Sequence, residues 1–186
     1  MRFVVVDLEA TCWASERPRP RSQMEIIEIG AVRLDESLEV ADEFGSFVRP
    51  MVHPELSEFC IGLTSITQTD VDGADRFSEV FARFLEWIGN GPHSLCSWGL
   101  FDVSQFQLDC RRSGLLFPEW FETKHINVKG EFAAWRGVKR CGMAEALDHL
   151  GMPLVGTHHR GIDDARNIAR IVQQMLPDLA DSAAEQ

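Results

Sequence analysis

The sequence has no long apolar run, although 45% of its 186 residues are hydrophobic, and this predicts a protein with no membrane partner. Paired cysteines are also lacking. The five that occur, at 12, 60, 96, 110 and 141, are odd in number, widely spread and without a C-x-x-C pair. That pattern excludes a disulfide framework, argues against structural zinc, and predicts reduced thiols packed as small apolar side chains in a cytoplasmic protein. Met1 and Arg2 lead directly into a strand pattern, without the basic and apolar regions of a signal peptide. Positive charge is scarce: 18 Lys and Arg against 29 Asp and Glu leave a formal net charge of −11, the wrong sign for gripping long nucleic acid through its phosphates. There is no internal repeat or low-complexity tract. Length and composition predict one domain over residues 1–180, with 181–186 as a loose tail.

What is present begins with two carboxylates. The run Phe3-Val4-Val5-Val6-Asp7-Leu8-Glu9 reads as a buried strand, and residues two apart on a strand project from one face. Asp7 and Glu9 therefore share a small patch. Like charges so placed repel and are costly to desolvate unless a proton or a metal ion separates them. A hard divalent cation such as Mg²⁺ or Mn²⁺ suits oxygen ligands. Taken alone, the pair could equally end a strand running out into solvent.

Two further segments bear on the choice. Ser97-Trp98-Gly99-Leu100-Phe101-Asp102 follows the short apolar stretch Ser94-Leu95-Cys96 and precedes the helical pattern of Val103, Phe106 and Cys110. Asp102 then stands where strand passes to helix. Gly156-Thr157-His158-His159-Arg160-Gly161-Ile162-Asp163-Asp164 opens the last helix, and a histidine precedes an aspartate by five positions in two registers. Helical spacing separates them, since residues at i+3, i+4 and i+7 share a face. Asp163 aligns with Arg166, Asn167 and Arg170, a solvated, ion-paired stripe. Asp164 aligns with Ile168, Ile171, Val172 and Met175, the stripe toward the core, so Asp164 is the inward carboxylate and His159 its partner.

The ordered set of Asp7-x-Glu9, Asp102 behind Trp98-Gly99, and His159 four residues before Asp164 resembles the DEDDh family of 3′→5′ exonucleases. Asp7-Leu8-Glu9-Ala10-Thr11-Cys12-Trp13, Glu58-Phe59-Cys60-x-x-Leu63-Thr64-x-Ile66-Thr67-Gln68 and Asp163-Asp164-x-x-Asn167-Ile168-Ala169 are similar to its histone-mRNA 3′-end exonuclease branch, whose bacterial relatives include a sporulation-kinase-pathway inhibitor. The sister branch carries tyrosine where this one carries histidine, and the chain contains no tyrosine.

The resemblance implies that Asp7, Glu9, Asp102 and Asp164 hold two divalent ions, Mg²⁺ or Mn²⁺, and that His159 is the general base, a role suited to an unperturbed pKa of about 6.5. His158 reads as an ordinary polar loop residue. By the same resemblance Phe59, Leu63 and Phe101 seat the terminal base, and the backbone of Ala10 and Thr11 meets the terminal sugar, where a 2′-hydroxyl contact would favour RNA. Arg160, with Arg17, Arg19 and Arg21, is the local candidate for phosphate contact. The implied activity is release of 5′-mononucleotides from the 3′ ends of short or single-stranded RNA, with DNA as a second substrate. The alternative is a regulatory module that keeps the fold and contacts a protein partner, as the inhibitor-type relatives do. Two bound cations would offset the four ligand carboxylates, and the remaining negative charge predicts only about one to three phosphate contacts.

The pattern along the chain predicts an α/β protein. Strands at about 2–8, 26–35 and 43–49 follow one another as an antiparallel meander. Helical patterns begin near Ser57 and Phe77, then come a strand at about 94–98, a helix at 102–113, a strand near 124–128 and three helices. A mixed five-stranded sheet with helices on both faces resembles the ribonuclease H-like three-layer fold of the family.

Overall fold

The computed structural model describes residues 2–14 and 21–184. Five strands, β1 (Arg2–Ala10), β2 (Ile26–Leu34), β3 (Val40–Phe47), β4 (His93–Ser97) and β5 (His125–Asn127), form one sheet in the order β3-β2-β1-β4-β5. The first three pair antiparallel, as the short links between them require, while β1 pairs parallel with β4 and β4 with β5. The C-terminal ends of β1, β4 and β5 therefore share one edge of the molecule.

Alternation along β1 divides the core. Val4, Val6 and Leu8 pack with Phe81, Phe84 and Phe106 on one face, while Val5 packs with Val128, Phe132, Ile168 and Val172 on the other. The first face is covered by α3 (Phe77–Ile88) and α4 (Phe101–Ser113), the second by α6 (Val128–Arg136), α7 (Met143–His149) and α8 (Gly161–Ala184). In α3 the residues Phe77, Val80, Phe81, Phe84 and Ile88 are all buried, the stripe their spacing predicts. The short helices α1 (Glu58–Thr64) and α2 (Gln68–Asp72) start at caps made by Ser57 and Thr67, and Cys60, Ile66 and Val71 pack on Ile27 of β2. The four-residue α5 (Trp120–Thr123) carries no detectable period and was not anticipated.

The mixed sheet and its two helical layers are those expected from the sequence, with two departures. The helix α8 runs through Ala184, so the first four residues of the expected loose tail continue it, in keeping with the helix preference of Ala183 and Ala184. Gly30, in the middle of β2, has a role that strand periodicity does not announce. A Cβ there would lie 2.0 Å from the carbonyl carbon of Gly161, so only glycine lets the start of α8 rest on the sheet. That contact sets the position of Asp164, one turn into α8.

Candidate active site

The cleft at the C-terminal ends of β1 and β4 has a volume of ≈ 290 Å³, and its floor holds Asp7, Glu9, Asp102 and Asp164. Asp7 and Glu9 come from alternate positions of β1. Asp102 lies in the first turn of α4, where its Oδ1 accepts the Leu8 amide at 3.0 Å and so ties α4 to β1. Asp164 enters from the opposite side on α8. Ligand oxygens of Asp7, Glu9 and Asp164 lie within 4.8 Å of one another.

The protein leaves the two β1 carboxylates uncompensated. Among the described residues neither the Asp7 nor the Glu9 carboxylate accepts a hydrogen bond or pairs with a cation. Burial, followed by repulsion from Asp102 and Glu9, holds Asp7 well above the usual carboxylate range. Burial and the charges of Asp164, Glu28 and Asp102 push Glu9 up to about 8. Asp102 is raised to about 6 by burial, against the opposing pull of the Leu8 amide and the Ser97 hydroxyl. Asp164 is raised by burial, with His158 pulling the other way. Unpaired, buried oxygens converging on one point are the donor set of a hard divalent cation, so the residues present fit the metal that the motif implies.

This predicts an inverted pH dependence for the metal-free protein. Its carboxylates keep protons in the folded state that the unfolded chain releases above about pH 4.5, so stability falls as pH rises toward the Glu9 value of about 8. Thermal melts in chelator should give a higher midpoint at pH 5.5 than at pH 8.5, and Mn²⁺ should remove the difference. A flat profile in chelator would contradict the unpaired cluster.

The segment before α8 is arranged differently from expectation. His158 is no ordinary loop residue: its Nδ1 lies 2.9 Å from Asp164 Oδ2 and its ring lines the cleft. His159 adopts the left-handed conformation, φ 63°, which brings its ring onto that of His158 with centroids 3.9 Å apart. The His159 amide donates to Asp164 Oδ2 at 3.0 Å, and its imidazole has no hydrogen-bond partner among the described residues. Burial, with His158 adding to it, lowers the His159 pKa. Both histidines therefore face the carboxylates.

Arg160 has a partner within the protein. Its Nε and Nη2 donate to the buried carboxylate of Glu28 at 3.1 and 3.2 Å, and its guanidinium covers the Phe47 ring. Glu28 also accepts the Gly161 amide at 2.9 Å. The pair thus fastens the start of α8 to β2. Glu28 was missed by sequence reading; its signal is a carboxylate inside the otherwise apolar Ile26-Ile27-Glu28-Ile29.

Other side chains divide similarly. Asp163 bonds to Arg166 and to the Thr157 amide, but Asn167, expected on the same solvated stripe, is fully buried and staples the preceding loop through both Val155 N and Val155 O. Phe59 and Leu63 lie one turn apart on α1 and are 45% and 37% exposed, so they are not core. Phe101 lines the cleft at the start of α4. The Thr11 amide donates to the Glu25 carbonyl, the Thr11 hydroxyl accepts from the Glu25 amide, and the Ala10 carbonyl accepts from the Cys60 thiol. Arg17 and Arg19 lie outside the described residues, as does the side chain of Arg21.

An exonuclease family model of the RNase T type matches residues 4–172. The chain belongs to the DEDDh exonuclease family. Family members depend on divalent metal. The 3′-5′ exoribonuclease 1 of Rattus norvegicus is 40% identical over 94% of this chain and 52% of its own length, so the chain spans about half the length of the curated relatives it matches. The nuclease domain of 3′hExo, a DEDDh family member bound to rAMP, superposes with a TM-score of 0.87 at 36% identity, covering 95% of this chain and 92% of that one. A 3′-exonuclease structure showing 3′-end specific recognition of a histone mRNA stem-loop gives 0.86 at 36% identity, over 95% of this chain and 64% of that one. No helix among the described residues is long and apolar enough to cross a membrane.

Proposed function

We propose that this DEDDh chain is a 3′→5′ exonuclease that releases 5′-mononucleotides from the 3′ ends of short or single-stranded RNA, with DNA as a second substrate. The observation that carries the reading is the convergence of Asp7, Glu9 and Asp164 oxygens within 4.8 Å in an open cleft, with the Asp7 and Glu9 carboxylates unpaired among the described residues. RNA is favoured because relatives such as the 3′-5′ exoribonuclease 1 of Rattus norvegicus are exoribonucleases and one structural neighbour is bound to rAMP. Five free cysteines suit a reducing compartment, the cytoplasm.

Asp7, Glu9, Asp102 and Asp164 would hold two Mg²⁺ or Mn²⁺ ions, which when bound supply Lewis-acid stabilisation of the charge developing on the scissile phosphate and the departing 3′-oxygen. His159 accepts the proton of the attacking water at a ring nitrogen; its lowered pKa keeps the imidazole neutral, and therefore basic, near pH 7. His158 orients Asp164 through Nδ1. Phe59, Leu63 and Phe101 receive the terminal base by stacking, which tolerates any nucleotide.

Attack by water that expels a 3′-oxygen leaves the phosphate on the 5′ carbon of the released nucleotide. A labelled single-stranded RNA with Mn²⁺ should therefore yield 5′-mononucleotides from its 3′ end, and none in chelator. Circular and 3′-phosphorylated strands should resist. Ready cutting of a closed circle would mean endonuclease chemistry. The alternative reading as a protein-binding module has no observation in its favour, since contact with a partner requires no cluster of buried carboxylates.

A further inference from the structure

A strand held by its 3′ end has to leave the cleft, and one wall differs electrically from the rest of the molecule. Five of the described arginines are held by carboxylates: Arg33 by Asp42, Arg83 by Asp75, Arg112 by Asp109, Arg160 by Glu28, and Arg166 by Glu43 and Asp163. Between residues 128 and 144 the balance reverses. Lys129, Arg136, Lys139 and Arg140 face a single acid, Glu131, in a chain of net charge −11. None of the four cations takes part in an ion pair among the described residues, and Lys139 and Arg140 are exposed.

Their position follows from the topology. The helix α6 begins directly after β5, at the edge where β1 and β4 deliver the carboxylates. Residues 137–142 then run back to the cleft, where Trp98 Nε1 donates to the Cys141 carbonyl at 3.1 Å and Gly142 and Met143 form part of the wall. Burial and the charge of Glu145 from α7 raise the Cys141 thiol, while Lys129 pulls it down, so both charges lie near this turn. Lys139 and Arg140 directly precede Cys141 and Gly142 in the segment that reaches that wall. The exposed Phe59 and Leu63 lie on the other side of β1, because α1 packs toward β2 whereas α6 packs on β4 and β5. With its last base on α1 and its scissile phosphate over Asp7 and Glu9, a strand would run across β4 toward these cations.

We propose that Lys129, Lys139 and Arg140 form a phosphate track for the nucleotides on the 5′ side of the scissile bond. This rests on the exonuclease reading above. The track is short: three contacts give a slope of log affinity against log salt of about −2 on a single strand. Trinucleotides end before the rim, strands of several nucleotides gain from it, and longer strands gain nothing more.

The test measures binding of 5′-fluorescein RNA trimers and octamers by anisotropy at several salt concentrations with Mg²⁺. The His159→Ala background slows cutting while keeping the four carboxylates. Adding Lys139→Gln with Arg140→Gln should reduce the octamer slope by about 1.4 and erase much of its advantage over the trimer. The charge-conserving exchange Lys139→Arg with Arg140→Lys should retain both, and Arg83→Gln, paired with Asp75 away from the cleft, should behave as the background. An unchanged slope and length advantage in the double Gln variant overturns the track. Failure of the otherwise unmutated chain to cut any strand would instead overturn the exonuclease reading, and the anisotropy series would still decide whether the rim binds RNA.

Discussion

Asp7→Asn and Asp164→Asn should each lower nucleotide release by about 10³-fold or more, since metal-ion stabilisation contributes several kcal/mol and each 1.36 kcal/mol is tenfold. The far-ultraviolet circular dichroism should not change. In the metal-free protein the same substitutions should raise thermal stability, because they remove one charge from a cluster whose members already resist ionisation. Asp7→Asn should give the larger rise. Its carboxylate accepts no hydrogen bond among the described residues, whereas Asp164 accepts from His158 Nδ1 and the His159 amide, and a neutral amide would weaken both contacts. In a protein of this size each kcal/mol of relieved repulsion is worth about 2–4 °C in Tm. Melts with chelator and with Mn²⁺, run beside a nuclease assay, separate the two effects. Full activity in either variant would remove that residue from the metal site; a lower Tm in chelator would mean that the carboxylates are held by partners other than one another.

Local periodicity made part of this site legible and non-local contact hid the rest. Alternation along residues 3–9 is enough to place Asp7 and Glu9 on one face, and helical spacing is enough to separate the buried side of α8, with Asp164, from the side where Asp163 meets Arg166. The strand meander and the start of α4 follow from the same two periods. Glu28 and Gly30 are a different case. Their roles depend on Arg160 and Gly161, more than a hundred residues away, and no window along the chain contains both partners. His158 was misread because the segment before α8 is not helical: the left-handed turn at His159 puts neighbouring side chains on one side, which no helical or strand period does. Asn167 was assigned to solvent by its polarity, although its amide satisfies backbone groups of a loop that covers it. The summed charge concealed the basic rim, since −11 describes the whole surface and says little about residues 128–144.

The two histidines give the second large effect and a direct choice between roles. His159→Ala should lower kcat by about 10²–10⁴, the usual worth of a positioned general base. His158→Ala should cost less than about tenfold, because its contact with Asp164 orients a carboxylate that the His159 amide also holds. The reasoning is geometric. A base must have a nitrogen available to water, and the His159 imidazole has no partner among the described residues, whereas one nitrogen of His158 is committed to Asp164. It is also electrostatic: burial and the adjacent His158 disfavour the imidazolium of His159, so the neutral ring predominates near pH 7. The acid limb of the kcat profile should accordingly lie below about 6.5, the unperturbed value, and should vanish in His159→Ala while persisting in His158→Ala. If His158→Ala instead abolishes turnover and removes the limb, the Asp164–His158 pair is the working dyad and His159 only shapes the loop. Single-turnover rates for both variants across pH 5–9 distinguish these outcomes without interference from product release.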